Sequence, residues 1–98
     1  MLPPAAAPQH VVDKIANIEA ALDDVVNHGS DDELFIASYL QGHFAVESRQ
    51  VEMQDDATMD TLNERVLASL ESAFANNELD EGDAVLVSAM WQRLMSAT

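Results

Sequence analysis

Apolar residues recur along the chain at the three- and four-residue spacing of amphipathic helices, in four segments separated by short polar stretches. In the first, from about His10 to Asn27, Val11, Ile15, Ile18, Leu22, Val25 and Val26 share one face. The third, about Thr58 to Asn76, carries Met59, Leu62, Val66, Leu70, Ala73 and Phe74, with Leu67 at its edge. The fourth, about Glu81 to Ser96, carries Leu86, Val87, Met90, Trp91, Leu94 and Met95. Each stripe covers a limited arc and leaves polar residues opposite, as expected of helices that pack by one side. Connections of about 3–5 residues make neighbours antiparallel. The predicted fold is therefore all-α, an up-down-up-down four-helix bundle forming a single domain over residues 10–98. Residues 1–9 are predicted to be a flexible tail, because Pro3, Pro4 and Pro8 remove backbone donors and the alanines offer little to bury.

The second segment, about Asp31 to Met53, breaks the one-sided pattern. At about 100° per residue, Ile36, Leu40, Phe44 and Val51 occupy one arc, and Phe35, Tyr39, Val46 and Met53 another, with Gly42 at the margin and His43 between the arcs. The polar side, with Ser38, Gln41, Ser48 and Arg49, is narrow. A helix apolar over more than half its circumference is expected to be the most buried of the four, with His43 near the middle of the bundle. A mid-helix glycine costs about 0.5–1 kcal/mol relative to alanine, so Gly42 is expected to admit the close approach of another backbone.

Punctuation agrees with these limits. Ser30 and Glu33 form the S-x-x-E capping box ahead of the second segment. Asp80 is placed to cap the fourth, and Asp31, Asp32, Asp60, Glu81 and Asp83 fall in first turns, where the helix dipole favours carboxylates. Gly29 is predicted to take a left-handed cap conformation after His28, and the Asn76-Asn77-Glu78 turn suits Asn in the same region.

Charge narrows the classes of partner. Eighteen Asp and Glu face four basic residues, Lys14, Arg49, Arg65 and Arg93, for a formal charge of -14 over 98 residues. Such a field repels phosphate backbones and anionic membrane surfaces, so neither nucleic acid nor membrane is expected as a partner. A basic protein partner is what it admits. With no cysteine, no disulfide or thiolate metal site contributes. No secretory signal and no run of about 20 apolar residues appears, which makes a cytoplasmic, soluble protein the expectation.

Candidate chemistry is sparse. The acids Asp31, Asp32 and Glu33 are adjacent and point about 100° apart, so they do not converge on a metal. No E-x-x-H pair is present, and an EF-hand register with Gly29 sixth puts Val26 and His28 where oxygen ligands belong. No G-x-S-x-G elbow or phosphate-cradling loop occurs. No catalytic residue, metal or cofactor is therefore assigned, and the leading reading is a non-enzymatic acidic bundle acting through protein–protein interaction. Its candidate contacts are Asp31 and Asp32, forming a negative patch with Asp23 and Asp24, and Trp91, if the Met90-Trp91-Met95 cluster is exposed beside acids. The competing reading is a small-ligand or metal site around His43 and Tyr39; as a core histidine, His43 would instead be held by a neighbour such as Tyr39, one turn back. A homodimer joined through apolar residues of the second helix is a third.

The stretch "HGSDDELFIASYLQGHF" (His28 to Phe44), together with "LVSAMWQRL" (Leu86 to Leu94), resembles the YfcL family of small bacterial proteins over roughly His10 to Met95. The family pattern carries onto Ser30, Asp31, Asp32, Glu33, Leu34, Phe35, Tyr39, Leu40, Gly42 and His43, and onto Ala89, Met90 and Trp91. The resemblance implies a compact helical protein and no particular activity.

Overall fold

The computed structural model describes residues 6–97. Four helices are present among them: α1 (Gln9–His28), α2 (Asp31–Glu52), α3 (Met59–Ala75) and α4 (Glu81–Ala97), with no strand. The all-α four-helix fold expected from the periodicity is the one found.

Consecutive helices run antiparallel. Along α1 and α2, Gln41 donates to Asp23 at 2.6 Å near one end, while Ala7, just before α1, donates its N–H to the Glu52 carbonyl at 3.0 Å near the other. Along α2 and α3, His43 faces Ser69 and Glu47 faces Arg65. Trp91 on α4 reaches back to Asn63 near the start of α3. α2 is the centre of this arrangement, packing against all three other helices.

The caps follow the sequence closely. Ser30 Oγ accepts from the Glu33 N–H, and Glu33 Oε1 accepts from the Ser30 N–H, both at 3.2 Å. The Ser30 N–H first, and the Ser30 hydroxyl beside the carboxylate second, hold the Glu33 carboxyl below its usual value. Thr58 and Thr61 form the equivalent box for α3, and Asp80 Oδ1 accepts from the Asp83 N–H at 2.8 Å to open α4. Asn77 takes the left-handed conformation, φ 57°, in the turn after α3.

Three local expectations are corrected. Gly29 is extended, φ -77° and ψ 170°, instead of left-handed. It is needed for a different reason: a Cβ there would stand 2.6 Å from the Val25 carbonyl oxygen, to which the Gly29 N–H donates at 2.7 Å. The tail expected over residues 1–9 is held from Ala6 onward, since the Ala6 and Ala7 N–H groups both bond the Glu52 carbonyl and Ala7 is buried. Its first five residues lie outside the described part. Ser48, placed on the polar side of α2, is buried, and its hydroxyl donates to the Ala45 carbonyl one turn back at 3.4 Å.

The core takes the predicted stripes of α1 and α3 (Val11, Ile15, Ile18 and Leu22 with Leu62, Val66, Leu70 and Ala73), and Val87, Met90 and Trp91 from α4. Leu86, expected in the α4 stripe, is exposed together with Val85. From α2 the core takes Ile36, Ala37, Leu40, Phe44, Ser48 and Val51. Of the second apolar arc of α2, only Tyr39 packs, partly buried, against the core. Phe35, Val46 and Met53 are 51%, 60% and 62% exposed. The centres of the two arcs lie roughly 130° apart around the helix axis, and α1, α3 and α4 pack against the other sides of α2, so the outer arc has no helix left to meet it.

Candidate functional site: the outer face of α2 and its flanking grooves

Phe35, Tyr39, Gly42, Val46 and Met53 stand at spacings of four, three, four and seven residues along α2. The first three steps follow the alternation of a heptad seam, and the last passes over Arg49, the exposed cation at the intervening seam position, so the line runs for about five turns with one charged member. Gly42 sits at its midpoint, and a Cβ added there would meet nothing within 4 Å. The close approach expected of Gly42 is therefore absent among the described residues; the glycine leaves a notch in the ridge.

Grooves run on both sides of that ridge. Toward α3, one of about 520 Å3 is lined by His43, Glu47, Arg65, Ser69, Ser72 and Glu78 among others. It continues past Tyr39, Gly42 and Val46. Toward α1, a second of about 480 Å3 is lined by Glu19, Asp23, Ser38, Gln41 and Gly42 among others.

His43 is half-buried at the edge of the α3 groove instead of central to the bundle. Its Nδ1 is hydrogen-bonded to Ser69 Oγ at 2.7 Å, so its partner is Ser69 and not Tyr39. Tyr39 packs against the imidazole, ring centroids 4.9 Å apart, and its hydroxyl donates to Glu78 Oε1 at 3.2 Å. Burial first, and then that carboxylate, push the Tyr39 phenol above its usual value. Deeper along the groove Arg65 Nε lies 3.3 Å from Glu47 Oε1, an ion pair in charge and distance in which the buried Nε makes no aligned hydrogen bond.

A serine against an imidazole suggests nucleophile and base, but that chemistry needs a third group to orient the ring and donors aimed at a developing oxyanion. Among the described residues no second hydrogen bond holds His43, and Ser69 lies within α3, whose backbone N–H groups are committed to the helix. Ser69, Glu47, Arg65 and Glu78 escaped the sequence reading because each lies within ordinary polar helix or turn sequence, and only the antiparallel register of α2 and α3 assembles them.

The other sequence candidates lie elsewhere. Asp31 and Asp32 are exposed on the first turn of α2, about 10–20 Å along the axis from Tyr39 and His43. Asp23 and Asp24 are already engaged, Asp23 by Gln41 and Asp24 by His28 at 3.2 Å. Trp91 is fully buried and offers a partner no surface. No group of three or more His, Asp or Glu positioned to hold a metal occurs among the described residues, and no helix there is long and apolar enough to cross a membrane.

Fold and surface together define a small acidic all-α protein with a central helix open on one side. Residues 13–96 match the family described as "YfcL protein", and the chain belongs to the YfcL family. It is 39% identical over 79 residues to "Uncharacterized protein YfcL" of Escherichia coli (strain K12), covering 81% of this chain and 86% of that protein. No solved structure matches.

Proposed function

We propose that the protein is a non-enzymatic, cytoplasmic interaction module that docks a basic protein partner on the outer face of α2. The observation that supports this is the exposure of Phe35, Val46 and Met53 on one line of the central helix, with a formal charge of -14 on the chain around them. Large apolar side chains scattered singly on a surface need no explanation, whereas a contiguous line of them rimmed by polar groups marks an interaction surface. The charge selects against a second acidic chain and favours a cationic one.

Photo-crosslinking in cells is the test. A crosslinking residue at Val46 or Met53 is expected to trap one defined partner carrying a basic contact segment, and the same residue at exposed Glu71 on α3 is not. Adducts of twice the chain's own mass would identify a homodimer in its place, and no adduct from any of the outer positions would end the proposal.

A second reading has one observation behind it, the open groove that reaches His43. A small polar ligand seated among His43, Ser69, Arg65 and Glu78 would displace the His43–Ser69 hydrogen bond. NMR titration of the imidazole with divalent metals and a metabolite set is expected to move the His43 ring resonances if such a ligand exists. Resonances that stay fixed throughout would eliminate it.

A further inference from the structure

Among the described residues nothing packs against Gly42 closely enough to require a glycine. Glycine in the middle of a 22-residue helix weakens it, and here alanine would fit without touching anything. A residue that costs stability and relieves no clash points to something outside the fold. Its position is specific: the midpoint of the apolar ridge, where the grooves on both sides of α2 meet.

From this we infer that the occupant of the outer face is a basic amphipathic helix, laid along α2 and in closest contact with it at Gly42. This rests on the reading of that face as the docking surface and adds the shape and chemistry of what docks there.

The shape argument comes from spacing. The line from Phe35 to Val46, at steps of four, three and four residues, is matched by a second helix crossing at about 20°, whose own side chains enter the grooves beside it, with an acidic or polar residue of that helix opposite Arg49. From Phe35 to Met53 the ridge is about 27 Å long, the length of an 18-residue helical segment. A side-chain-free position at the crossing lets the two axes approach toward the lower end of the usual 8–10 Å range.

The charge argument comes from the flanks. On the α1 side Glu19 and Asp23 line the groove, and Glu52 acts on Glu19. On the α3 side stand Glu47 and Glu78. Against these five carboxylates the region sets two guanidiniums, Arg65 paired with Glu47 and Arg49 acting on Glu19. Burial, and next the neighbouring Glu52 and Asp23, raise the Glu19 carboxyl, and lysines or arginines on a docking helix would relieve that repulsion. A second copy of this chain would instead lay acid against acid.

The probe is a synthetic 21-residue helical peptide with leucines at the ridge spacing and lysines on both flanks, with fluorescence anisotropy as the readout. It is expected to bind the full chain and to weaken as salt rises from about 50 to 500 mM. The same peptide with Glu for Lys, or with Ser for Leu, is expected to bind at least about 100-fold more weakly. Gly42→Met fills the notch and is expected to lower affinity at least about tenfold with the helical circular dichroism spectrum retained. Gly42→Ala, which meets no neighbour, is expected to raise the folding equilibrium constant about two- to fivefold. Equal binding of the Lys peptide to wild type and to Gly42→Met, or equal binding of the Ser-for-Leu peptide, would overturn the inference. If crosslinks from Val46 and Met53 trap a basic partner that the Lys peptide does not displace, the docking face stands and the helical occupant falls. If those crosslinks trap nothing, the face itself falls. Concentration-dependent dimerisation abolished by Val46→Ser would make the occupant a second copy and also overturn it.

Discussion

Trp91→Ala is expected to lower the stability of the fold by about 3–5 kcal/mol, a large share of the 5–15 kcal/mol available to a domain of this size. Three features concentrate that loss in one side chain. The indole is fully buried, so its removal leaves a cavity among side chains that relax only in part. It packs against Phe44 of α2 with ring centroids 5.9 Å apart. Its Nε1 donates to Asn63 Oδ1 of α3 at 2.8 Å. One residue thus ties α4 to both α2 and α3. Trp91→Phe keeps much of the packing but leaves the partly buried Asn63 oxygen without its donor, and is expected to cost about 1–3 kcal/mol. Because Trp91 is the chain's single tryptophan, denaturant melts of these variants must be followed by far-UV circular dichroism. The midpoint should fall with little change in slope. A loss under about 1 kcal/mol for Trp91→Ala would contradict its place in the core.

How far the sequence anticipated this depends on how one-sided each helix is. α1 and α3 carry a single stripe each, and that stripe became the core. The capping residues Ser30, Glu33 and Asp80 bond only to backbone and side chains three residues away, so local sequence was enough to place them; the Thr58–Thr61 box is equally local but was not read from the sequence. Asn77 was equally local. α2 was different. Two apolar arcs on one helix are compatible with full burial or with one face left open, and periodicity does not choose between them. The choice is made by the number of helices available. With α1, α3 and α4 each taking one side of α2, a fourth side remains, and the shorter-range rules contain no count of neighbours.

The same limit explains the site. His43 was legible as an unusual residue but its partner was not, because Ser69 lies 26 residues away and meets it only through the antiparallel register of α2 and α3. Tyr39, one turn back, was the natural local candidate, and it does contact the imidazole, though ring against ring. Gly42 was legible as a cost. Whether a chain neighbour justified that cost required coordinates, and the empty space at its Cβ position is what turns a packing expectation into a docking one.

Two phenylalanines on α2 separate these ideas. Phe44→Ala is expected to destabilise the fold by about 3–5 kcal/mol and Phe35→Ala by no more than about 1 kcal/mol. The residues are chemically identical, share a helix and stand nine positions apart, which at 100° per residue puts them on opposite sides. Phe44 is 1% exposed and touches Trp91, while Phe35 is half in solvent. The expected difference of at least about 2 kcal/mol, roughly 30-fold in the folding equilibrium constant, is read from urea melts of the two variants. If Phe35→Ala costs as much as Phe44→Ala, the outer arc is part of the core and the docking surface disappears with it. If it costs little, the side chain owes its presence to something other than folding. In that case Phe35→Ala should also weaken whatever Val46 and Met53 crosslink, while Phe44→Ala should affect binding only as far as it unfolds α2. A stability-neutral substitution that impairs binding would separate the two faces of one helix, the inner one assigned to the fold and the outer one to a partner.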